Sequence, residues 1–231
     1  MKMQIRASKA CPKCEGRGYI FDKDNNPVPC ECKEDRDFDL RLSAARIPKR
    51  FVNKTLETFN TKGNALRKRV VEEAKKFAKE FTPNSEQKGK LLMGAVGSGK
   101  SHIVIAMLKE IIARGYTGLY YDVPELLQKL REISDTKRND EESDIIEEAV
   151  AVDVLVLDDL GAESAPNWIR EKLYLIIDRR YKDNKPILIA TSCLLDEFER
   201  QVGKRVISRL WEMCDRFADF PEEDYRRRNF K

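Results

Sequence analysis

GAVGSGKS, residues 94–101, stands between the apolar run LLM (91–93) and the helical pattern SHIVIAMLKEIIA (101–113), and that order decides the fold. It matches the eight-residue pattern G-x-x-x-x-G-K-[ST], which requires a strand before it and a helix after it. Gly94, Gly97 and Gly99, with Ser98 between them, let backbone N–H groups converge on phosphate oxygens, and the helix N-terminus adds its dipole. Lys100 then neutralises the β- and γ-phosphates, and Ser101 ligates Mg²⁺. His102, the chain's single histidine, follows directly and belongs to the same nucleotide-binding stretch. With no second histidine it cannot form a catalytic dyad, so packing is its plainer role.

A second motif, VDVLVLDDLG (152–161), is a continuous aliphatic run that ends in two carboxylates. Such runs are strands buried on both faces, and ligands bind beyond their C-terminal ends. Asp158 is placed to hold Mg²⁺, and Asp159 to orient or polarise an attacking water. Together with the phosphate loop, this pair points to hydrolysis of a nucleoside triphosphate. PILIATS (186–192) ends another strand with Thr191 and Ser192, hydroxyls that could touch the γ-phosphate or the water. Further on, Arg205 and Arg209 lie four apart, on one face of a helix. An arginine supplied by a neighbouring subunit is a known source of transition-state charge.

Outward from these motifs, strands and helices alternate. Strands are expected at Leu91–Met93, Gly118–Val123, Val152–Asp158, Pro186–Thr191 and Arg216–Phe220. Helical spacing covers 64–81, Lys100–Arg114, Pro124–Ile133, Ile145–Val150, Asn167–Lys182 and Asp196–Cys214. The alternation predicts an α/β fold with a five-stranded parallel sheet covered on both faces. Tyr120 and Tyr121, at a strand end, read as core residues before they read as platforms for stacking bases.

The N-terminal stretch differs. Four of the six cysteines fall within residues 11–32, as Cys11, Cys14, Cys30 and Cys32, spaced C-x₂-C-x₁₅-C-x-C. Four thiolates satisfy a tetrahedral structural Zn²⁺ site. The closing C-x-C is tighter than the commoner C-x₂-C, and an iron–sulfur cluster is the alternative those thiolates leave open. So small a segment cannot bury a core, and metal binding would supply its folding free energy. Residues 33–45 are charged and read as a linker or short helix. The expected division is a zinc-binding module with its linker at 1–45 and an ATPase domain at 46–231.

Composition limits the partners. The chain has 231 residues, 36% of them charged, with 44 Lys+Arg against 40 Asp+Glu, so the net charge of +4 names no nucleic-acid or membrane surface. No apolar run approaches the ~18 residues of a membrane span. Residues 1–14 lack the apolar stretch of a signal peptide, so a cytoplasmic location is expected.

IPKRFVNKTLETF (47–59), GAVGSGKSH, YYDVPELLQKLRE (120–132), VLVLDDLGAE (154–163), PILIATS, RVISRL (205–210) and DYR (224–226) together resemble the AAA+ loaders of the bacterial replicative helicase, the DnaC/DnaI type. The transposition helper ATPases are close relatives with the same motifs. The resemblance covers about residues 44–228. It implies an AAA+ ATPase that uses ATP and Mg²⁺ to place a hexameric helicase of the DnaB type on single-stranded DNA. It also implies a homo-oligomer in which Arg209 is the finger acting on a neighbour's nucleotide, with Arg205 beside it at the interface. Thr191 and Ser192 fall in the sensor-1 segment, and Arg226 matches a sensor-2 arginine in a very short C-terminal extension. Ile47–Phe51 lies near the adenine, Pro124–Arg131 faces single-stranded DNA, and the N-terminal module grips the helicase. Two positions depart from the pattern: Cys193 where Asn is frequent, and Asp159 where Glu is usual.

Overall fold

A run such as VLVL (154–157) has no polar face to leave in water, so the sheet that contains it needs a layer on each side. The computed structural model describes residues 11–83, 87–136, 138–162, 167–217, 220 and 224–225. A two-stranded antiparallel hairpin, β1 (Tyr19–Phe21) and β2 (Pro27–Pro29), sits between the two cysteine pairs. Helix α1 (Lys33–Ala44) follows, then a short 3₁₀ turn (Lys49–Phe51) and α2 (Ala65–Glu80). The main sheet and its helices then alternate: β3 (Gly89–Met93), α3 (Lys100–Ala113), β4 (Gly118–Asp122), α4 (Val123–Asp135), α5 (Asn139–Ala151), β5 (Val154–Asp158), α6 (Asn167–Lys182), β6 (Ile187–Thr191), α7 (Leu195–Val202), α8 (Lys204–Met213) and β7 (Cys214–Arg216).

All five strands of the main sheet are parallel, in the order β4-β5-β6-β3-β7. Adjacent residues of β3 separate the two cores: Leu91 enters the one under α4–α8, and Leu92 the one under α2 and α3. β6 lies between the strand that leads into the phosphate loop and the strand that ends in Asp158. Its end, Thr191–Ser192, is therefore delivered between the loop and the carboxylates. Arg180 is fully buried and closes the opposite end of the sheet. Its guanidinium donates to the carbonyls of Ala149, Val152, Asp153 and Pro186 at 2.8–3.1 Å.

Two expectations are corrected. The fifth strand is Cys214–Arg216 rather than Arg216–Phe220, because Cys214 pairs with Gly89 and Arg216 with Leu91. Phe217 and Phe220 instead turn their rings into the core around α3. The single helix expected over Asp196–Cys214 is two, broken at Gly203, whose φ of +87° lies outside helical space. The charged stretch after Cys32 is a full helix, α1, and lays Phe38 and Leu42 against the α2–α3 core. Among the described residues no helix is long and apolar enough to cross a membrane.

Candidate functional site: the phosphate loop and the cysteine cluster

β3 ends at Met93 and the loop turns through Gly94, Gly97 and Gly99, each at positive φ, into α3. At Gly97 and Gly99 a Cβ would be strained by φ and would also have to displace a neighbouring side chain. A Cβ at Gly97 would meet the Asp224 carboxylate at 1.9 Å, and one at Gly99 the Phe59 ring at 2.5 Å. Lys100 is buried, and its Nζ donates to the carbonyls of Gly94 and Ala95, both at 2.9 Å, across the mouth of the loop. Ser98 is also buried, and its Oγ has no hydrogen-bond partner.

The two motifs meet at Asp158. Ser101 Oγ donates to Asp158 Oδ1 at 3.1 Å, and the buried Tyr120 hydroxyl donates to Oδ2 at 2.9 Å. Both oxygens are thus fixed in direction. Burial pushes the Asp158 carboxyl up to about 6, and the two hydrogen bonds oppose that shift only in part. A buried carboxylate beside a P-loop serine is the donor set a hard divalent cation takes, and binding one would favour the ionised form. Asp159 adopts the left-handed conformation, φ +54°, with its N–H on Asp158 Oδ1 at 3.2 Å. Asp tolerates that region better than most residues. Asp159 faces the cavity along with Ser192.

That cavity, of about 390 Å³, is lined by the phosphate loop, Asp159 and Ser192. Phe51, Lys54, Phe59, Asn60, Arg67 and Tyr225 line the rest of it. α3 holds part of this lining with two side chains. Buried Lys109 donates Nζ to the carbonyls of Phe51 (3.2 Å), Val52 (2.6 Å) and Lys54 (2.7 Å). His102 donates Nε2–H to the Thr55 carbonyl at 2.7 Å and meets the Phe59 ring edge-on. His102 therefore lines the cavity while its ring is spent on packing, and burial lowers its pKa.

The structure places the remaining expected residues as follows. Thr191 is fully buried, and its Oγ1 accepts the Cys193 N–H at 3.2 Å, so Ser192 is the hydroxyl of that segment which lines the cavity. Cys193 donates Sγ–H to the Gly161 carbonyl at 3.0 Å and ties the two strand-end loops together. Arg209 is held by Asp178 at 3.0 Å and lies over the Tyr181 ring; Arg205 lies over Tyr174. Neither lines the chain's own cavity. Of Ile47–Phe51, Phe51 reaches the cavity and Ile47 packs on the core. On α4 the exposed side carries Glu125, Gln128, Lys129 and Glu132, with no positive stripe. Tyr120 and Tyr121 are core residues. Arg226 lies outside the described residues.

Sequence reasoning missed Tyr120 as the partner of Asp158, and Phe59, Asn60, Arg67 and Tyr225 as lining of the cavity. For Tyr120 a signal existed: its register neighbour on β5 is Val156, two residues before Asp158, so a long side chain can reach the carboxylate. For Arg67 no signal existed, because a basic residue on an amphipathic helix is normally solvated.

At the N-terminus, the sulfurs of Cys11, Cys14, Cys30 and Cys32 all lie within 4.8 Å of one another. Cys11 and Cys30 are 3.8 Å apart, and Cys14 and Cys32 3.4 Å. A ZnS₄ tetrahedron with Zn–S of about 2.3 Å has its sulfurs about 3.8 Å apart, so the cluster fits zinc. The hairpin turn that brings the pairs together is closed by Asp22, whose Oδ1 accepts the N–H groups of Asp24 and Asn26, both at 2.9 Å. The Gly18 N–H, 3.3 Å from Cys14 Sγ, is the chief cause that lowers this thiol to about 6.

With this geometry in place, the similarity to known proteins can be read. Residues 30–224 match the family of IstB-like ATP binding proteins. The chain belongs to that family. It is 26% identical over 219 residues to the phage-like element PBSX protein XkdC of Bacillus subtilis, covering 88% of this chain and 79% of that one. It is 27% identical over 167 residues to the replicative helicase loader DnaC of Escherichia coli, covering 71% of this chain and 64% of that one. The crystal structure of the DnaC helicase loader superposes with a TM-score of 0.66 at 28% identity, over 75% of this chain and 100% of that one. The fold is that of an AAA+ domain, and the family assigns ATP as its nucleotide.

Proposed function

We propose that the chain is an ATP-dependent loader of a hexameric DnaB-type helicase onto single-stranded DNA, acting in the cytoplasm. The observation that carries the reading is the contact between Ser101 and Asp158, which joins the two nucleotide motifs in a protein similar to the DnaC loader. In this reading Lys100 neutralises the phosphates. Ser101 and Asp158 hold Mg²⁺, which would stabilise the developing phosphoryl charge. Asp159 orients water, Ser192 reads the γ-phosphate, with Thr191 buried behind it, and Arg209 acts on a neighbour's nucleotide. In the single chain Arg209 rests on Asp178, so assembly would have to redirect it. Asp reaches less far than Glu, which suits slow hydrolysis used as a switch. The module at 1–45 holds Zn²⁺ and grips the helicase, and Arg226 would complete the nucleotide site from the C-terminal side.

The test is a pull-down of the chain with and without residues 1–45. Retention of a replicative helicase by the full chain and its loss on truncation is the expected result. Failure of the full chain sinks the loader reading, and retention by both sinks the role given to the module. A second reading is a transposition helper ATPase, whose motifs are the same. Capture of a transposase in place of the helicase would establish it. A non-hydrolysing adaptor would be indifferent to Asp159→Asn and Arg209→Ala in ATP turnover.

A further inference from the structure

Arg67, in the first turn of α2, is 3% exposed, yet its Nε and Nη2 are buried without a hydrogen-bond partner. Only Nη1 is engaged, by a long 3.4 Å bond to the Asn60 carbonyl. Among the described residues it has no ion pair. Its guanidinium lies between two rings, 5.5 Å from the centroid of Phe59 and 5.2 Å from that of Tyr225. Both rings are seated on the phosphate loop: Phe59 packs on Gly99, and the Tyr225 N–H donates to the Gly97 carbonyl at 3.1 Å. Arg67 lines the same cavity as Lys100. A cation withdrawn from water is unfavourable unless an anion or full hydrogen bonding compensates it, and a planar guanidinium with free donors is a phosphate ligand.

We propose that Arg67 is a second phosphate-binding cation, which donates Nε and Nη2 to the polyphosphate of ATP bound at the loop. This rests on ATP binding at the loop and adds a residue outside both nucleotide motifs. Lys100 approaches the polyphosphate from the loop and Arg67 from α2, so the nucleotide ties α2 to α3. The two rings supply cation–π contacts that hold the guanidinium in place.

The test measures affinity of the full-length protein, its Arg67→Met variant and its Arg67→Lys variant for ATP and for inorganic tripolyphosphate, by competition against a fluorescent ATP analogue. Melting temperatures are taken without nucleotide. Loss of charge-assisted bonds predicts roughly 10- to 150-fold weaker binding of both ligands by Arg67→Met. Arg67→Lys should recover part of the loss. The nucleotide-free melting temperature should hold or rise, because a buried unpaired charge has been removed. Unchanged ATP affinity with a lowered melting temperature makes Arg67 a structural strut and overturns the proposal. Weaker ATP binding with unchanged tripolyphosphate binding places the contact on base or ribose and also overturns it. Wild type that binds no nucleotide sinks the ATP reading itself, whereas wild type and Arg67→Met binding alike sinks this inference alone.

Discussion

Residues 11–32 and the sheet domain offset the entropy of an ordered chain by opposite means. In the first, the only buried side chains are those of Cys14 and Cys30, while Tyr19 and Phe21 lie exposed on the hairpin. Its order rests on local hydrogen bonds around Asp22 and on four converging sulfurs. In the second, two apolar clusters cover both faces of a parallel sheet. On the zinc reading proposed above, one region is conditional on a metal and the other is not, so the chain should be able to lose one and keep the other.

Metal removal is the strongest way to break the comparison. Structural zinc contributes apparent binding energies of about 10–16 kcal/mol in small modules. Chelation, or Cys14→Ser with Cys30→Ser, should therefore abolish amide protection across residues 11–32 while the sheet domain melts as before. Hydrogen exchange with zinc analysis checks this, and persistent protection in the zinc-free chain would contradict it. The mirror experiment is Leu92→Ala. Leu92 is fully buried in the α2–α3 core, and deletion of such a side chain costs about 2–5 kcal/mol. Denaturant midpoints should fall by that measure while zinc stoichiometry stays unchanged.

What could be read in advance follows the same division. The phosphate loop, Asp158 and the strand that carries it were legible because backbone geometry and burial dictate residue type there. Gly97 and Gly99 hold positive φ against the side chains of Asp224 and Phe59, and Val154–Leu157 have no wet face. The cysteine cluster was legible from spacing alone. The rest of the cavity lining was not. Phe59, Arg67 and Tyr225 come from three separated segments, and only tertiary packing brings them onto the loop. The fifth strand was misplaced because RFADF reads as an apolar run, whereas its two phenylalanines are core plugs beyond a three-residue edge strand.

Acid sharpens the contrast, because Trp168 and Trp211 both lie in the sheet domain and report on it separately from the module. The Asp158 carboxyl is raised from 3.8 to about 6 in the folded chain, so between those values the folded state holds a proton that the unfolded state has lost. This group therefore makes the metal-free domain less stable as pH rises from about 4 to 6, by about 3 kcal/mol. Asp158→Asn cannot titrate. Its stability relative to wild type, from tryptophan fluorescence in denaturant, should increase over that window and then level off. A flat difference refutes the assignment. Lys100→Ala is read on the ligand. With the loss of a charge-assisted bond worth about 1.5–3 kcal/mol, ATP affinity should fall roughly 10- to 150-fold, with zinc content unaffected.

The smallest effect lies at the end of α1, the helix that leads from the cysteine hairpin into the sheet domain. Arg46 follows α1 in the left-handed conformation, φ +56°, and its guanidinium makes two contacts of different kinds. One is a 2.8 Å bond to the buried Tyr121 hydroxyl with the cation over that ring; the other is an ion pair with Glu148 at 2.5 Å. Both partners of the ion pair remain 39% exposed, so water screens it and its worth is about 0–1 kcal/mol. Glu148→Gln should accordingly leave the melting temperature within a few degrees of wild type. Arg46→Ala removes the ring contact and the tyrosine's partner as well, and should cost more than Glu148→Gln. Thermal melts of the two single variants and the double variant separate the terms. If Glu148→Gln matched Arg46→Ala, the ion pair and not the tyrosine would fasten the junction, and high salt would then loosen α1 from the domain.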